Sequence, residues 1–88
     1  MKVEFLSSFA KDIDSVNQKS DKLKLLKVIA QFERAIKISE ISQIKKLSGH
    51  KSAYRIRIGD YRLGFFYESE KIIIARFVHR KEIYKIFP

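Results

Sequence analysis

Tyr54-Arg55-Ile56-Arg57-Ile58-Gly59-Asp60-Tyr61-Arg62 is the stretch that decides the fold. Apolar and cationic residues alternate at the period of a strand, and Gly59-Asp60 supplies a two-residue hairpin turn. With that turn, Ile58 faces Tyr61, Ile56 faces Leu63 and Tyr54 faces Phe65, which makes one face apolar. The other face carries Arg55, Arg57 and Arg62. Arg57 then lies opposite Arg62, and Arg55 opposite Gly64, which leaves room above the sheet. Like charges placed opposite each other across two strands are destabilising. An anion seated between them offsets that repulsion, so the pattern points to an anion site on one sheet face.

Strand-like runs cover Ala53–Ile58, Tyr61–Glu68 and Ile72–Val78, with Ser69-Glu70-Lys71 as the second turn. A three-residue turn puts Arg76 on the arginine face opposite Gly64; one residue of slip exchanges the faces. Upstream, Val3 to Leu6 predicts a short strand. Ser8 reads as an N-cap for a helix carrying Phe9, Ile13 and Val16, and Ser20 as the cap of a second helix, with Asp21 in its first turn. Leu25, Ile29, Phe32 and Ile36 form the second helix's main stripe, widened by Leu23, Leu26 and Ala30. That width fits either burial on two sides or a groove for another chain's helix. Ser39 to Ser48 reads as a helical turn or a packed connector, and His79 to Pro88 as a short helix or tail carrying Tyr84. The expected fold is α+β. An N-terminal strand and two helices precede an antiparallel three-stranded meander. The result is a four-stranded sheet with helices on one face and the arginine face open to solvent.

At 88 residues the chain is long enough for one domain, 1–88, and too short for two. Such a domain buries only about 60% of its unfolded surface, which limits its core. The sequence has no cysteine and no apolar leader or membrane-length run, so a cytoplasmic protein away from the membrane is expected. A net charge of +9 favours nucleic acid or an acidic protein as partner. The kind of base is also segregated. Residues 1–50 carry nine lysines and one arginine, Arg34; residues 51–88 carry Arg55, Arg57, Arg62, Arg76 and Arg80. Guanidinium forks grip phosphate in two-pronged fashion, as ammonium does not.

Arg55, Arg57, Arg62, Arg80 and the phenol of Tyr84 are expected to converge on the open face. Lys51, Arg76 and Lys81 add charge for RNA. Phe66 shares the Arg62 face; it either stacks on an unpaired base or fills the sheet. RNA carries its own nucleophile, the 2′-hydroxyl, so cleavage needs that group deprotonated, the phosphorane charge held and the leaving oxygen protonated. Arginine supplies the second by preorganised charge but is a poor base. Tyr84, His79 and His50 are the candidates for proton transfer. A phenol has a reference pKa of about 10 and serves as a base only where cations favour its ionised form; imidazole is better placed intrinsically. Two histidines without a carboxylate cluster argue against a metal site, and no phosphate-cradling glycine loop or other cofactor motif is present.

Lys46-Leu47-Ser48-Gly49-His50-Lys51, the arginine hairpin, and His79-Arg80-Lys81-Glu82-Ile83-Tyr84 together resemble the RelE/ParE superfamily of toxins from toxin–antitoxin pairs. The resemblance covers essentially the whole chain. Its RelE branch implies a metal-independent, ribosome-dependent endoribonuclease that cuts messenger RNA in the A site by 2′-hydroxyl attack. Arg62 falls at that branch's transition-state arginine, Arg80 at a second arginine and Tyr84 at its tyrosine. Arg55 and Arg57 stand where the best-known member has two lysines, which moves the base role to Tyr84 or His79. The ParE branch shares the fold and poisons DNA gyrase, and a basic RNA-binding module without turnover is a third reading. The resemblance also implies an antitoxin partner, lying over the helices or displacing Tyr84 and its tail.

Overall fold

The Gly59-Asp60 turn closes its hairpin in the expected register. In the computed structural model, which describes residues 1–88, Ile58 pairs with Tyr61, Arg57 with Arg62, Ile56 with Leu63, Arg55 with Gly64 and Tyr54 with Phe65. Gly59 takes φ +59°, the left-handed conformation that the tight turn needs and that glycine adopts without strain. The elements in chain order are β1 (Lys2–Phe5), α1 (Ser7–Asp14), α2 (Lys19–Arg34), β2 (Ile44–Lys46), β3 (Ala53–Ile58), β4 (Tyr61–Glu68), β5 (Lys71–His79) and α3 (Ile83–Ile86).

The sheet runs β1-β5-β4-β3-β2, with β1 parallel to β5 and every other pair antiparallel. It has five strands, one more than expected. The extra strand, β2, lies in the ambiguous Ser39–Ser48 segment, beyond a 3₁₀ turn over Ile38–Glu40. Only three residues long, Ile44-Lys45-Lys46 shows no two-residue alternation to read.

The β4–β5 turn corrects the expected loop. Glu68 pairs with Lys71, so the turn is the two residues Ser69 and Glu70, at φ +53° and +59°. Both central residues at positive φ match the mirror-image turn that fits a twisted hairpin. The extra residue sits instead in the strand. Phe65 pairs with Ile74 and Gly64 with Arg76, leaving Ala75 as a bulge. Arg76 therefore reaches its place opposite Gly64 by a bulge rather than by a longer loop.

β5 is central only as far as β1 follows it, to Ile74. Beyond that point α1 satisfies its outer edge. The Leu6 amide donates to the Ile74 carbonyl at 2.9 Å, Ser8 Oγ to the Ala75 carbonyl at 2.7 Å, and the Phe77 amide to Asp12 Oδ2 at 2.9 Å. These bonds quiet an otherwise open strand edge. They also explain why Ser8 caps nothing: the N-cap of α1 is Leu6, two residues earlier, and the Ser8 hydroxyl is committed to β5. Ser20 likewise lies inside α2, whose N-cap is Gln18.

Helices α1 and α2 cover one sheet face. Phe9, Leu25 and Phe32 pack on Ile56, Ile58, Leu63, Phe65, Ile72, Ile74 and Phe77. Ile36 does not belong to that stripe. The helix stops at Arg34, Ala35 turns extended and buried, and Ile36 is left 83% exposed. The opposite face is only partly open, against expectation. Ile83 and Phe87 of the C-terminal segment fold back on Leu47, Ala53 and Ala75 to make a second, small core, with Phe66 and Val78 at its margin.

Candidate functional site

Four of the expected arginines meet where that small core ends. Arg55 and Arg57 come from β3, Arg62 from β4 and Arg80 from the turn after β5. With Lys81 and Tyr84 they line a shallow depression of about 470 Å³, and no carboxylate shares its wall. The Arg80 amide donates to the Asp60 carbonyl at 2.8 Å, which ties the chain leaving β5 to the hairpin turn. Tyr84 is brought in by its neighbours Ile83 and Phe87, both buried, although Tyr84 itself is 60% exposed. Arg55 Nε donates to Tyr84 Oη at 3.1 Å, fixing the phenol over the arginines.

Arg62 is the centre of this arrangement. It is the buried charged residue of the fold, at 9% exposure. Its Nη1 donates to the carbonyls of Gly59 and Tyr61 at 3.0 and 2.9 Å, so the hairpin turn holds the guanidinium in place. Nε and Nη2 keep their hydrogens for a ligand. Burial, then the charges of Arg57 and Arg55, push the Arg62 guanidinium below the ordinary arginine range, with Arg80 acting the same way and Tyr84 opposing. None of Arg55, Arg57, Arg62 or Arg80 has a carboxylate within ion-pair distance; the ion pairs are Lys2–Glu4, Lys71–Glu4 and Arg76–Asp12. Crowded, partly desolvated and unpaired cations are what a phosphodiester neutralises. Its oxygens would take donors already in position.

The other expected residues stand apart. His79 pairs with Tyr61 in the ladder and sets its ring edge-on to that tyrosine, 6.1 Å between centroids, on the face covered by the helices. Adjacency to Arg80 in sequence misleads here: β5 ends at His79, and the turn that follows carries Arg80 into the arginine depression. Phe66 is no free stacking platform; it packs against Phe87 at 5.2 Å. Arg76 is occupied by Asp12, with Nε to Oδ2 at 2.8 Å and Nη2 to Oδ1 at 2.9 Å. Lys51 is exposed on the loop before β3 and lines no part of the depression, and His50 lies in a neighbouring hollow with Lys45, Lys46 and Tyr84. One contributor had no signal in the expected pattern: Lys45 stands opposite Arg55 across the unforeseen β2. The room expected above Gly64 is not open, because the Phe87 ring fills it.

Comparison with known proteins bears on the fold and the family. The family model described as ParE toxin of type II toxin-antitoxin system, parDE, matches residues 3–84. Toxin RelE3 of Methanocaldococcus jannaschii is 37% identical over 90 residues, spanning 100% of both chains. The RelB-RelE antitoxin–toxin complex from Methanococcus jannaschii superposes with a TM-score of 0.83 at 32% identity, over 97% of this chain and 99% of that one. The archaeal RelE-RelB complex from Pyrococcus horikoshii, with a TM-score of 0.71 at 23% identity over 93% and 97%, shares the fold.

Proposed function

The chain belongs to the RelE/ParE superfamily, the toxins of type II toxin–antitoxin systems, and on that premise we propose that it is a ribosome-dependent endoribonuclease acting on messenger RNA in the cytoplasm. The observation that carries this reading is the buried, carbonyl-anchored Arg62 among three further unpaired arginines and a phenol. The scissile phosphodiester seats against Arg62 and Arg80. The 2′-hydroxyl forms a bond to phosphorus while the bond to the 5′-oxygen breaks. One product ends in a 2′,3′-cyclic phosphate and the other in a 5′-hydroxyl, with neither metal nor cofactor required. Tyr84 accepts the 2′-hydroxyl proton, since His79 lies on the other face, and the departing 5′-oxygen takes its proton from water in the open depression. The arginines hold the charge that builds on the non-bridging oxygens. The depression is shallow and open, which suits a messenger strand presented by the ribosome rather than one captured from solution.

The antitoxin is assigned to the groove between α1 and α2. Phe5, Phe9, Ile13, Leu25, Leu26 and Ile29 line a hollow of about 490 Å³ there. Phe5, Leu23 and Leu26 are all about half exposed or more. An unpartnered apolar surface of this kind marks a protein contact. Exposure of Leu23 and Leu26 supports reading the widened stripe of α2 as a contact surface rather than as burial on two sides, although of its added residues only Leu26 lines the hollow.

The matching family is described by its ParE toxins, and the resemblance to that branch makes inhibition of DNA gyrase the second reading. One pair of assays separates the two. Purified protein added to ribosomes stalled on a defined message is expected to cut it, and to leave gyrase supercoiling of relaxed plasmid unchanged. Intact message with inhibited supercoiling would overturn the ribonuclease reading. Free RNA is expected to be cut poorly.

A further inference from the structure

We infer that a second depression, on the β2 side of Arg55 and Arg57, binds the nucleotide next to the scissile phosphate: Lys45 and Arg57 hold its phosphate and the Gln43 carboxamide reads its base. This rests on the ribonuclease reading above and adds a specificity-determining residue to it. The depression is larger than the first, about 710 Å³, and is lined by Gln43, Ile44, Lys45, Arg55, Arg57 and Gly59. It shares Arg55 and Arg57 with the depression that holds Arg62 and Tyr84. One strand of RNA crossing β3 therefore occupies both, with the two shared arginines between adjacent nucleotides.

Its chemistry matches a nucleotide rather than a bare anion. Three cations line it without a carboxylate, and Lys45 lies directly opposite Arg55 in the β2–β3 ladder. That is the second like-charge pair across β3, after Arg57 and Arg62. Cations hold phosphate but carry no information about the base. Gln43 is the neutral polar side chain of the wall, and a carboxamide offers a donor and an acceptor side by side, as base edges do. Its backbone is unusual as well. Gln43 sits at φ +64°, a conformation that residues with a side chain seldom adopt. Glycine or asparagine would make that bend more easily. Ser69 and Glu70 make the same bend in the β4–β5 turn, so it is the carboxamide in the wall of the depression, and not the bend, that points to a base.

Gln43→Gly removes the carboxamide and relieves the backbone, so the fold is retained. Mapping of message 5′ ends after cutting on ribosomes is expected to show a base preference beside the cut for the unsubstituted chain. Gln43→Gly should weaken that preference about tenfold while changing the total rate little. Lys45→Ala should raise the half-saturating concentration about tenfold and leave both preference and saturating rate unchanged. A preference untouched by Gln43→Gly, or absent from the outset, overturns the inference, as does a concentration dependence untouched by Lys45→Ala. A second arm does not depend on cleavage. A trinucleotide with 2′-deoxy sugars, which cannot react, is titrated into the unsubstituted protein and followed by NMR. Shifts at the Gln43 side-chain amide and Lys45 support the inference. Shifts confined to Arg62 and Tyr84, or none, overturn it. Failure of the ribonuclease reading appears separately, as an uncut message.

Discussion

Phe87 lies on Gly64 so closely that a Cβ added there would come within 2.7 Å of the Phe87 ring. This contact closes the C-terminal segment onto the arginine face. A four-residue helix such as α3 has no independent stability, so Ile83 and Phe87 hold Tyr84 in place. Gly64→Ala should cost about 1–3 kcal/mol through overpacking and move Tyr84 away from Arg55. In a Phe87→Ala background the same change should be nearly neutral. A double-mutant cycle by chemical denaturation measures this coupling; additive effects would show that the two residues act independently.

Asp12 bears on stability and not on the site. It accepts from Arg76 twice and from the Phe77 amide. Asp12→Ala strands a donor at the β5 edge and should destabilise by about 1–3 kcal/mol. Arg76→Ala should cost less, because Asp12 still caps Phe77. Message cleavage by the Arg76→Ala protein at a temperature where it is folded should match the unsubstituted chain. A large loss of cleavage would return Arg76 to the site.

Tyr84→Phe removes the proposed proton acceptor while keeping the ring. Single-turnover cleavage should slow by about 10²–10⁴-fold, the range for general acid–base groups. Half-saturating protein concentration on ribosomes should barely change. Equal rates for the two proteins would move the base elsewhere.

Leu26 is 59% exposed on the α1–α2 groove and touches none of the arginines. Leu26→Glu should therefore leave folding and message cleavage intact while weakening antitoxin binding by a factor of about 10 or more, as a charge is placed in an apolar contact. Calorimetric titration against the antitoxin checks this. Unchanged affinity would place the partner on another surface.

The arginine hairpin was legible because three signals agreed: period-two alternation, a glycine turn and an apolar face with a partner for every residue. The β4–β5 register was not. Ser69-Glu70 lacks the glycine that marks a mirror-image turn, and the Ala75 bulge has no local signature. The C-terminal segment was legible only as far as its apolar residues; that Phe87 docks on Gly64 is a long-range fit. Tertiary contacts also decided which cations count. Arg76 carries the same chemistry as Arg62, and only the fold brings Asp12 beside one and not the other.

In the proposed reaction Arg62 holds the charge of the attacked phosphodiester. The most direct measurement is the chemistry of the cut ends after single-turnover reaction on a ribosome-bound message, for the unsubstituted chain and for Arg62→Ala. A 2′,3′-cyclic phosphate is expected upstream and a 5′-hydroxyl downstream, with the rate lowered about 10²–10³-fold by Arg62→Ala, the range for losing a preorganised donor. A 3′-hydroxyl and 5′-phosphate, or an Arg62→Ala protein that cuts at the full rate, would contradict it.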